Sequence, residues 1–422
     1  MTMKRKLLNS LFATLMLFSL VAPLSMKAQS TPGCDGKRYL LDIFTDTIRT
    51  VVTYGDNVTL DGYNQILKMD VVEPKGDTLK KRPVIIWAFG GGYVSGNRNQ
   101  MDGLCVGYAK KGYVNVTIDY RLFNYFALGY PDSVGITKVG IQASQDMKAA
   151  IRYLRKEASL TNKFKIDTNN IIVGGISAGA LTAMTTAMLD STDVIDPLTR
   201  RLIGEVGGLE GTSGTPGYSS KVKGVVSMAG GLYRKEYITV GNPPFAAYHG
   251  TADKVVPYGY GVNVYGYYND GDAACYDRAR ALGIPAVLFS VMGGDHPSAA
   301  AGIPSFDAWS PYMTRFMKQL VCGETITSES KSTPTDELSN RTLTVYPNPA
   351  FDKMTVELDQ NTEGANFDIL VYDIAGKQVY AKKGQSGNQF SLDKKYIGRG
   401  MFFLRLNFAN AEGYVLKKIV FN

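Results

Sequence analysis

Three kinds of hydrophobic pattern follow one another along the chain. Between residues 83 and 292, short continuous apolar runs alternate with longer stretches of helical spacing. Pro83 to Phe89 (PVIIWAF) is a continuous apolar run, a strand buried on both faces; the β-branched Ile171 to Val173 read as a buried strand, and Tyr113 to Tyr120, Val222 to Met228, Pro244 to Tyr248 and Pro285 to Met292 as further strands. Between them, Met101 to Lys111 ends on Gly112 as a helix does. Val139 to Ala158 carries Ile141, Met147, Ile151 and Leu154 on one stripe. An Ala/Met/Leu-rich run reaches Leu189, Asn263 to Leu282 is helical in part, and Ala308 to Leu320 predicts a closing helix. Such alternation predicts an α/β fold, a mostly parallel central sheet flanked by helices. Ahead of it, Val51 to Tyr54 and Asn57 to Leu60, broken at Gly55-Asp56, and Leu67 to Val72 read as antiparallel strands on the sheet's first edge.

The pattern changes twice more. Gly323 to Asn340 (GETITSESKSTPTDELSN) is polar and aperiodic, a linker. From Thr342 onward the strands alternate (Met354 to Leu358, Phe367 to Tyr372, Phe402 to Leu406, Tyr414 to Phe421), with turn signals and no helical period, which predicts a small all-β sandwich. At the other end, Lys4, Arg5 and Lys6 precede an apolar run to Leu24, and Ala28 is a small residue suited to cleavage: a signal peptide. The expected layout is a leader over 1–28, an α/β domain over 29–322, a linker over 323–340 and a sandwich over 341–422.

Composition narrows the chemistry. The leader holds four basic residues and no acid, so its removal takes the net charge from +8 to +4, with no basic block. No nucleic-acid partner is expected. Cys34, Cys105, Cys275 and Cys322 are too dispersed for a CxxC site. In an exported chain they leave open one or two disulfides, with three full pairings, or buried free thiols. The 2 histidines, His249 and His296, argue against a zinc site; no metal and no cofactor is expected.

Gly175-Ile176-Ser177-Ala178-Gly179 places G-x-S-x-G between a buried strand and a helix, the context of a nucleophile elbow. There the serine stands on a sharp turn and the amide of Ala178 points at a reacting carbonyl. On its own the motif reads more simply as an ordinary glycine-rich turn with a solvated serine. Gly90-Gly91-Gly92 directly follows the strand Pro83 to Phe89, and glycines there let backbone amides turn toward an anion. Asp253, in His249-Gly250-Thr251-Ala252-Asp253, sits past a parallel strand end, where catalytic groups collect; a turn-forming aspartate is the plainer reading. His249 reads as structural, hydrogen-bonded near the strand end. His296 follows the last strand and completes a Ser…Asp…His order, which makes it the general base. Asp119 and Arg121 read as a structural pair. The aromatic stretch Phe123 to Pro131 suits either a pocket for an acyl or aromatic group or plain loop packing. Ser191 to Ser220 reads as an insertion that can cap the site.

Taken together, the GGG loop, G-x-S-x-G, HGTxD and terminal His resemble an α/β-hydrolase of the carboxylesterase group, from about Leu67 to Leu320. The chain is also similar to exported acetyl-xylan and feruloyl esterases. Relatives usually carry His before the three glycines; this chain carries Phe89. The resemblance implies an oxyanion hole from the amides of Gly91, Gly92 and Ala178, with Ser177 as nucleophile, His296 as base and Asp253 orienting it. Val345-Tyr346-Pro347-Asn348-Pro349, Tyr372-Asp373-Ile374-Ala375-Gly376-Lys377 and the terminal Lys417-Lys418-Ile419-Val420 resemble the sorting domain of the type IX secretion system of Bacteroidetes. That resemblance implies export through the periplasm to the cell surface or medium, with the type IX machinery as partner. The expectation is a serine carboxylesterase acting on short-acyl or aromatic esters, small molecules or esterified polysaccharide. Two readings stand beside it: a peptidase or amidase of the prolyl-peptidase type, and a non-catalytic surface binding protein on a hydrolase scaffold.

Overall fold

The chain enters its main sheet through a long antiparallel hairpin, β1 (Thr47–Val58) and β2 (Asn64–Pro74). The Gly55-Asp56 step, expected to break the first strand, is absorbed as an irregularity in the register between Thr53 and Gly55. Glycine is required there because a Cβ would come within 2.8 Å of the backbone of Gly214. The structure is a computed structural model and describes residues 32–297, 306–332, 343–358, 366–373, 378–408 and 414–422. The expected signal peptide and the Ile374-Ala375-Gly376-Lys377 part of the C-terminal motif lie outside these residues.

After the hairpin the strand–helix alternation runs as the sequence predicts. β3 (Arg82–Ala88) is buried along its whole length. It is followed by α1 (Asp102–Lys110), β4 (Val114–Ile118), the short α2 (Tyr125–Leu128) and the long α3 (Ser133–Leu160). Asp132 starts α3 by accepting the Gly135 amide. Next come β5 (Ile166–Ile176), α4 (Ala178–Met188), α5 (Pro197–Glu205), β6 (Gly224–Met228), β7 (Gly231–Leu232) and β8 (Phe245–Gly250). Beyond them lie β9 (Tyr260–Val262), β10 (Tyr268–Gly271), α6 (Asp272–Ala281), β11 (Ala286–Val291), α7 (Phe306–Cys322) and β12 (Glu329–Ser332).

The main sheet has the order β1-β2-β4-β3-β5-β6-β8-β11-β12. Its first three strands pair antiparallel and the rest parallel. A one-sided antiparallel start followed by parallel strands wrapped in helices is the α/β-hydrolase arrangement. The apolar runs are continuous because these strands are covered on both faces. One core holds Ile85, Trp87, Val173, Val226, Phe245 and Trp309, all fully or almost fully buried. A disulfide joins Cys34 to Cys322, and Cys105 and Cys275 are buried free thiols.

Two readings need correction, and one stretch holds more than its partly helical reading implied. Asp119 and Arg121 do not pair: Asp119 takes Arg98 at 2.6 Å, while Arg121 turns inward to Asp146 at 2.9 Å. Both residues lie past the end of β4, in irregular backbone where the strand rule that keeps i and i+2 on one face no longer holds. The stretch before α6 forms two short strands, β9 and β10, which pair with β7 in a small second sheet. Of β9's three residues none is buried, so no apolar signal marks it. Finally, Glu329–Ser332 falls in the stretch read as linker, yet pairs parallel with β11 as the ninth strand of the main sheet. As an edge strand, only its backbone is needed.

The C-terminal part has its own core. β13 (Leu343–Tyr346), β14 (Lys353–Leu358), β15 (Phe367–Asp373), β16 (Gln378–Gln385), β17 (Gln389–Asp393), β18 (Gly400–Phe408) and β19 (Tyr414–Phe421) form two antiparallel sheets, β13-β14-β17 and β16-β15-β18-β19. A one-turn helix, α8 (Lys394–Ile397), lies between β17 and β18. Met354, Val356, Ile369, Val371, Leu404 and Leu406 fill the space inside. The alternation is visible directly: every second residue of β18 from Phe402 to Phe408 is buried.

Candidate active site

Ser177 occupies the turn between β5 and α4, with φ +56° and ψ −122°. That conformation costs free energy for a residue with a Cβ and persists only where its surroundings enforce it. Here they do. The Ser177 amide donates to the Met228 carbonyl at 2.8 Å, and its carbonyl accepts from Ala180 and Leu181 as the helix begins. The flanking glycines permit the closeness: a Cβ on Gly175 would lie 2.3 Å from the carbonyl carbon of Gly179, and one on Gly179 only 2.1 Å from the Ala88 oxygen.

Asp253 and His296 arrive on the loops after β8 and β11, adjacent parallel strands. The two loops are stitched together. Ala252 N donates to Gly294 O at 2.9 Å, Thr251 N to Val291 O at 2.9 Å, and Gly293 N to the Thr251 hydroxyl at 2.8 Å. This places His296 Nδ1 2.6 Å from Asp253 Oδ2 and His296 Nε2 2.8 Å from Ser177 Oγ. A carboxylate only accepts, so Nδ1 carries the hydrogen and Nε2 is free to accept the serine proton. Asp253 also makes the turn that its position suggested: its Oδ1 accepts the amides of Val255 and Val256. Burial alone would raise the Asp253 carboxyl, but hydrogen bonds from His249 and His296 outweigh it and hold it well below the usual carboxylate range. The Ser177 side is nearly closed, at 8% exposure.

The glycine loop crosses in front of this group. A Cβ on Gly90 would sit 3.2 Å from Ser177 Cβ, and Gly91 and Gly92 have φ of +124° and +62°. Among the described residues, the amides of Gly91, Gly92 and Ala178 have no backbone carbonyl as acceptor. Tyr265 donates its hydroxyl to the Gly92 carbonyl at 2.6 Å, which fixes the far side of the loop. Phe89 points away into the core, where it stacks on Tyr120 at 4.2 Å between ring centroids. The Tyr120 hydroxyl in turn holds the Phe89 carbonyl at 2.8 Å.

Two cavities reach the residues that follow the loop, Tyr93 and Val94. A small one of about 70 Å³ is lined by Tyr93, Gly140, Leu181, Tyr233, Tyr267 and Asn269. Tyr93 directly follows the three glycines, and Leu181 lies one turn beyond Ser177. Asn269 is 2% exposed, and both polar atoms of its side chain lack a partner among the described residues. The larger, about 280 Å³, is walled by Asp61, Tyr63, Val94, Phe123, Tyr125 and Phe126, so the aromatic stretch does line a pocket. Ser177, Asp253 and His296 are in the wall of neither. The insertion after α4 reaches the smaller cavity through Thr199, while its later part is tied down on α3, where Arg152 donates to the Ser213 and Thr215 carbonyls.

His249 is fully buried, as a structural histidine would be, but its partners are informative. Nδ1 is 3.0 Å from Asp272 Oδ2; Nε2 is 3.0 Å from the Val256 carbonyl and 3.2 Å from Asp253 Oδ2. Asp272, the first residue of α6, carried no signal in the sequence, since an acid at a helix start is commonplace.

Comparison with known proteins follows the same division. Residues 69–232 match the BD-FAE family, and residues 344–422 match the secretion system C-terminal sorting domain. Gut esterase 1 of Caenorhabditis briggsae is 34% identical over 118 residues, 27% of this chain and 19% of that protein. Lipase 1 of Yarrowia lipolytica is 32% identical over 117 residues, 26% of this chain and 23% of that protein. The chain thus spans about a fifth of the length of the curated relatives it matches. Among solved structures, native esterase 2 of Thermogutta terrifontis is 19% identical, with a TM-score of 0.44 over 64% of this chain and 89% of that one. A truncated carbohydrate esterase from gut microbiota is 20% identical, with a TM-score of 0.46 over 66% and 98%. Residues 69–232 are thus similar to the BD-FAE family, within a sheet of α/β-hydrolase arrangement, and residues 344–422 are similar to a secretion-system C-terminal sorting domain.

Proposed function

We propose that this chain is an exported serine carboxylesterase that cleaves short-acyl or aromatic esters by way of an acyl-enzyme. Ser177 attacks the ester carbonyl while His296 Nε2 takes its proton. The same proton then passes to the departing alcohol, and water repeats the sequence to free the acid. Asp253 keeps the Nδ1 hydrogen in place and stabilises the charged ring. The amides of Gly91, Gly92 and Ala178 receive the oxyanion; one such donor contributes about 2.7–4 kcal/mol. The observation that carries this reading is the continuous pair of hydrogen bonds, 2.8 Å and 2.6 Å, ending on a serine at a strained strand–helix turn.

The substrate class is inferred from the smaller cavity, which Tyr93 and Leu181 line and the triad itself does not. A cavity of about 70 Å³ lined by Tyr93, Leu181 and Tyr267 suits a short or flat acyl group better than a long chain. With the sorting domain directing export, the ester would be met outside the cell, as a small molecule or on esterified polysaccharide, and the type IX machinery would be the partner in transit.

The test is hydrolysis of 4-nitrophenyl acetate, butyrate and a long-chain ester by the purified protein beside Ser177→Ala, with fluorophosphonate labelling of both. Activity on the short esters and labelling are expected, both absent in the variant. A folded wild type that neither labels nor hydrolyses would overturn the reading.

A further inference from the structure

We propose that His249 is a positioning residue for the triad: a charged second histidine that shares Asp253 Oδ2 with His296 and fixes where that carboxylate points. This role rests on the reading of Ser177, His296 and Asp253 given above. The geometry comes first. Nδ1 of His249 faces Asp272 Oδ2, and Nε2 faces both the Val256 carbonyl and Asp253 Oδ2. All three partners are oxygens that accept. A neutral imidazole has one N–H and one lone pair, so one of its nitrogens would confront an acceptor without a hydrogen between them. In a site where His249, Asp253 and Asp272 have fully buried side chains, such a mismatch is costly. The ring satisfies every contact only when both nitrogens are protonated.

Asp272 is anchored in turn. Its Oδ1 accepts the Ser227 hydroxyl at 2.6 Å and its Oδ2 the Gly230 amide at 2.9 Å, both at the end of β6. The result is a buried line from the β6 end through Asp272, His249 and Asp253 to His296 and Ser177. Asp253 then receives four donors: two amides on Oδ1 and two ring nitrogens near Oδ2. It cannot rotate away from His296 without breaking several at once. The titratable groups facing the His249 ring are Asp253 from the loop after β8, Asp272 from α6, and Tyr258, edge-on at 5.7 Å. Burial by itself would lower the ring's pKa, but its hydrogen bonds to Asp253 and Asp272 outweigh that and lift it to about 9. Its positive charge sits on the same carboxylate oxygen as the His296 ring, so removing it changes the charge beside the proposed base.

With 2 histidines in the chain, the charge can be read directly. In ¹⁵N-histidine-labelled full-length protein at pH 7, long-range ¹H–¹⁵N NMR should show one ring protonated on both nitrogens, assigned to His249 because it survives His296→Ala. A neutral His249 ring in active, fluorophosphonate-labelled wild type would overturn this role and leave the esterase reading intact. His249→Gln keeps a neutral donor. It should lower kcat on 4-nitrophenyl acetate about tenfold with KM little changed, and move the acid limb of kcat/KM up by about half a pH unit. Asp272→Asn, which removes the charge that holds the ring, should move the limb the same way, and serves if His249→Gln does not fold. Folded variants with wild-type kcat and an unmoved acid limb would also overturn the role. A wild type without labelling or turnover would instead remove the triad reading, and this role with it.

Discussion

Arg121 and Asp146 meet inside the α/β domain as a buried ion pair, Nη2 to Oδ1 at 2.9 Å, with side chains 2% and 0% exposed. The Arg121 amide and Nε, and the Ser213 hydroxyl, also reach the Asp146 carboxylate, and Arg121 Nη1 donates to the Val58 carbonyl. The pair thereby ties the β1 end, the loop after β4, α3 and the insertion after α4 together. Removing one partner leaves an uncompensated buried charge, so Asp146→Ala should cost about 3–5 kcal/mol in urea unfolding. Arg121→Met with Asp146→Leu should recover much of that loss. A single variant as stable as wild type would show that water or a neighbour compensates the arginine.

Tyr265 holds the Gly92 carbonyl from 173 residues away in sequence. Freed of that bond, the loop carrying two of the proposed oxyanion donors has less reason to stay in one place. Tyr265→Phe is expected to lower kcat on 4-nitrophenyl acetate about tenfold, within the effect of one misplaced donor, while unfolding changes by about 1 kcal/mol. Unchanged kcat would mean that the bonds from Val94 and Ser95 to the Gly91 carbonyl suffice to hold the loop.

The buried His249–Asp253 pair gives stability a two-sided pH dependence. His249 binds its proton more tightly folded, near 9, than unfolded, near 6.5. Its contribution is complete below about pH 6.5 and is lost as pH rises toward about 9. Asp253 is shifted the other way, so its contribution is present above about pH 4 and is lost as acid protonates it. Urea midpoints from pH 3 to 10 should therefore fall at both ends. His249→Gln should flatten the alkaline fall; the same alkaline slope in that variant would assign the loss to other groups.

The Cys34–Cys322 disulfide closes a loop with a sequence separation of 288 residues. In chain-entropy terms so long a loop belongs with the stabilising cases, typically about 2–4 kcal/mol. Cys34→Ser with Cys322→Ser should lower the thermal midpoint by several degrees, and reducing agent should do the same to wild type but not to the variant. The buried Cys105 and Cys275 thiols should resist labelling until the protein unfolds.

The sheet's centre was legible because double burial makes a strand apolar throughout: β3, β6 and β11 are unmistakable in the sequence. So was the order Ser177, Asp253, His296, since each follows a strand end and the fold gathers those ends. What escaped notice had no hydrophobic signature. β9 and β12 are edge or surface strands held by backbone bonds, and Glu329–Ser332 has the composition of a linker. Asp272 and Tyr265 act through long-range hydrogen bonds, which no local spacing reveals. The Asp119–Arg121 reading failed for the converse reason: proximity in sequence was mistaken for proximity in space.

The covalent ring and the sheet do not end at the same residue. Cys322 shuts the ring at the end of α7, but the sheet's last strand, Glu329–Ser332, comes afterwards. A protease that separates the two halves of this molecule thus meets a graded boundary. A cut between 323 and 328 would spare the crosslink and detach the outermost strand, baring the β11 edge to any passing extended chain. A cut beyond Ser332 would release an α/β domain whose main sheet is whole. Maturation at the later position would yield a monodisperse product, and maturation at the earlier one a self-adhesive product.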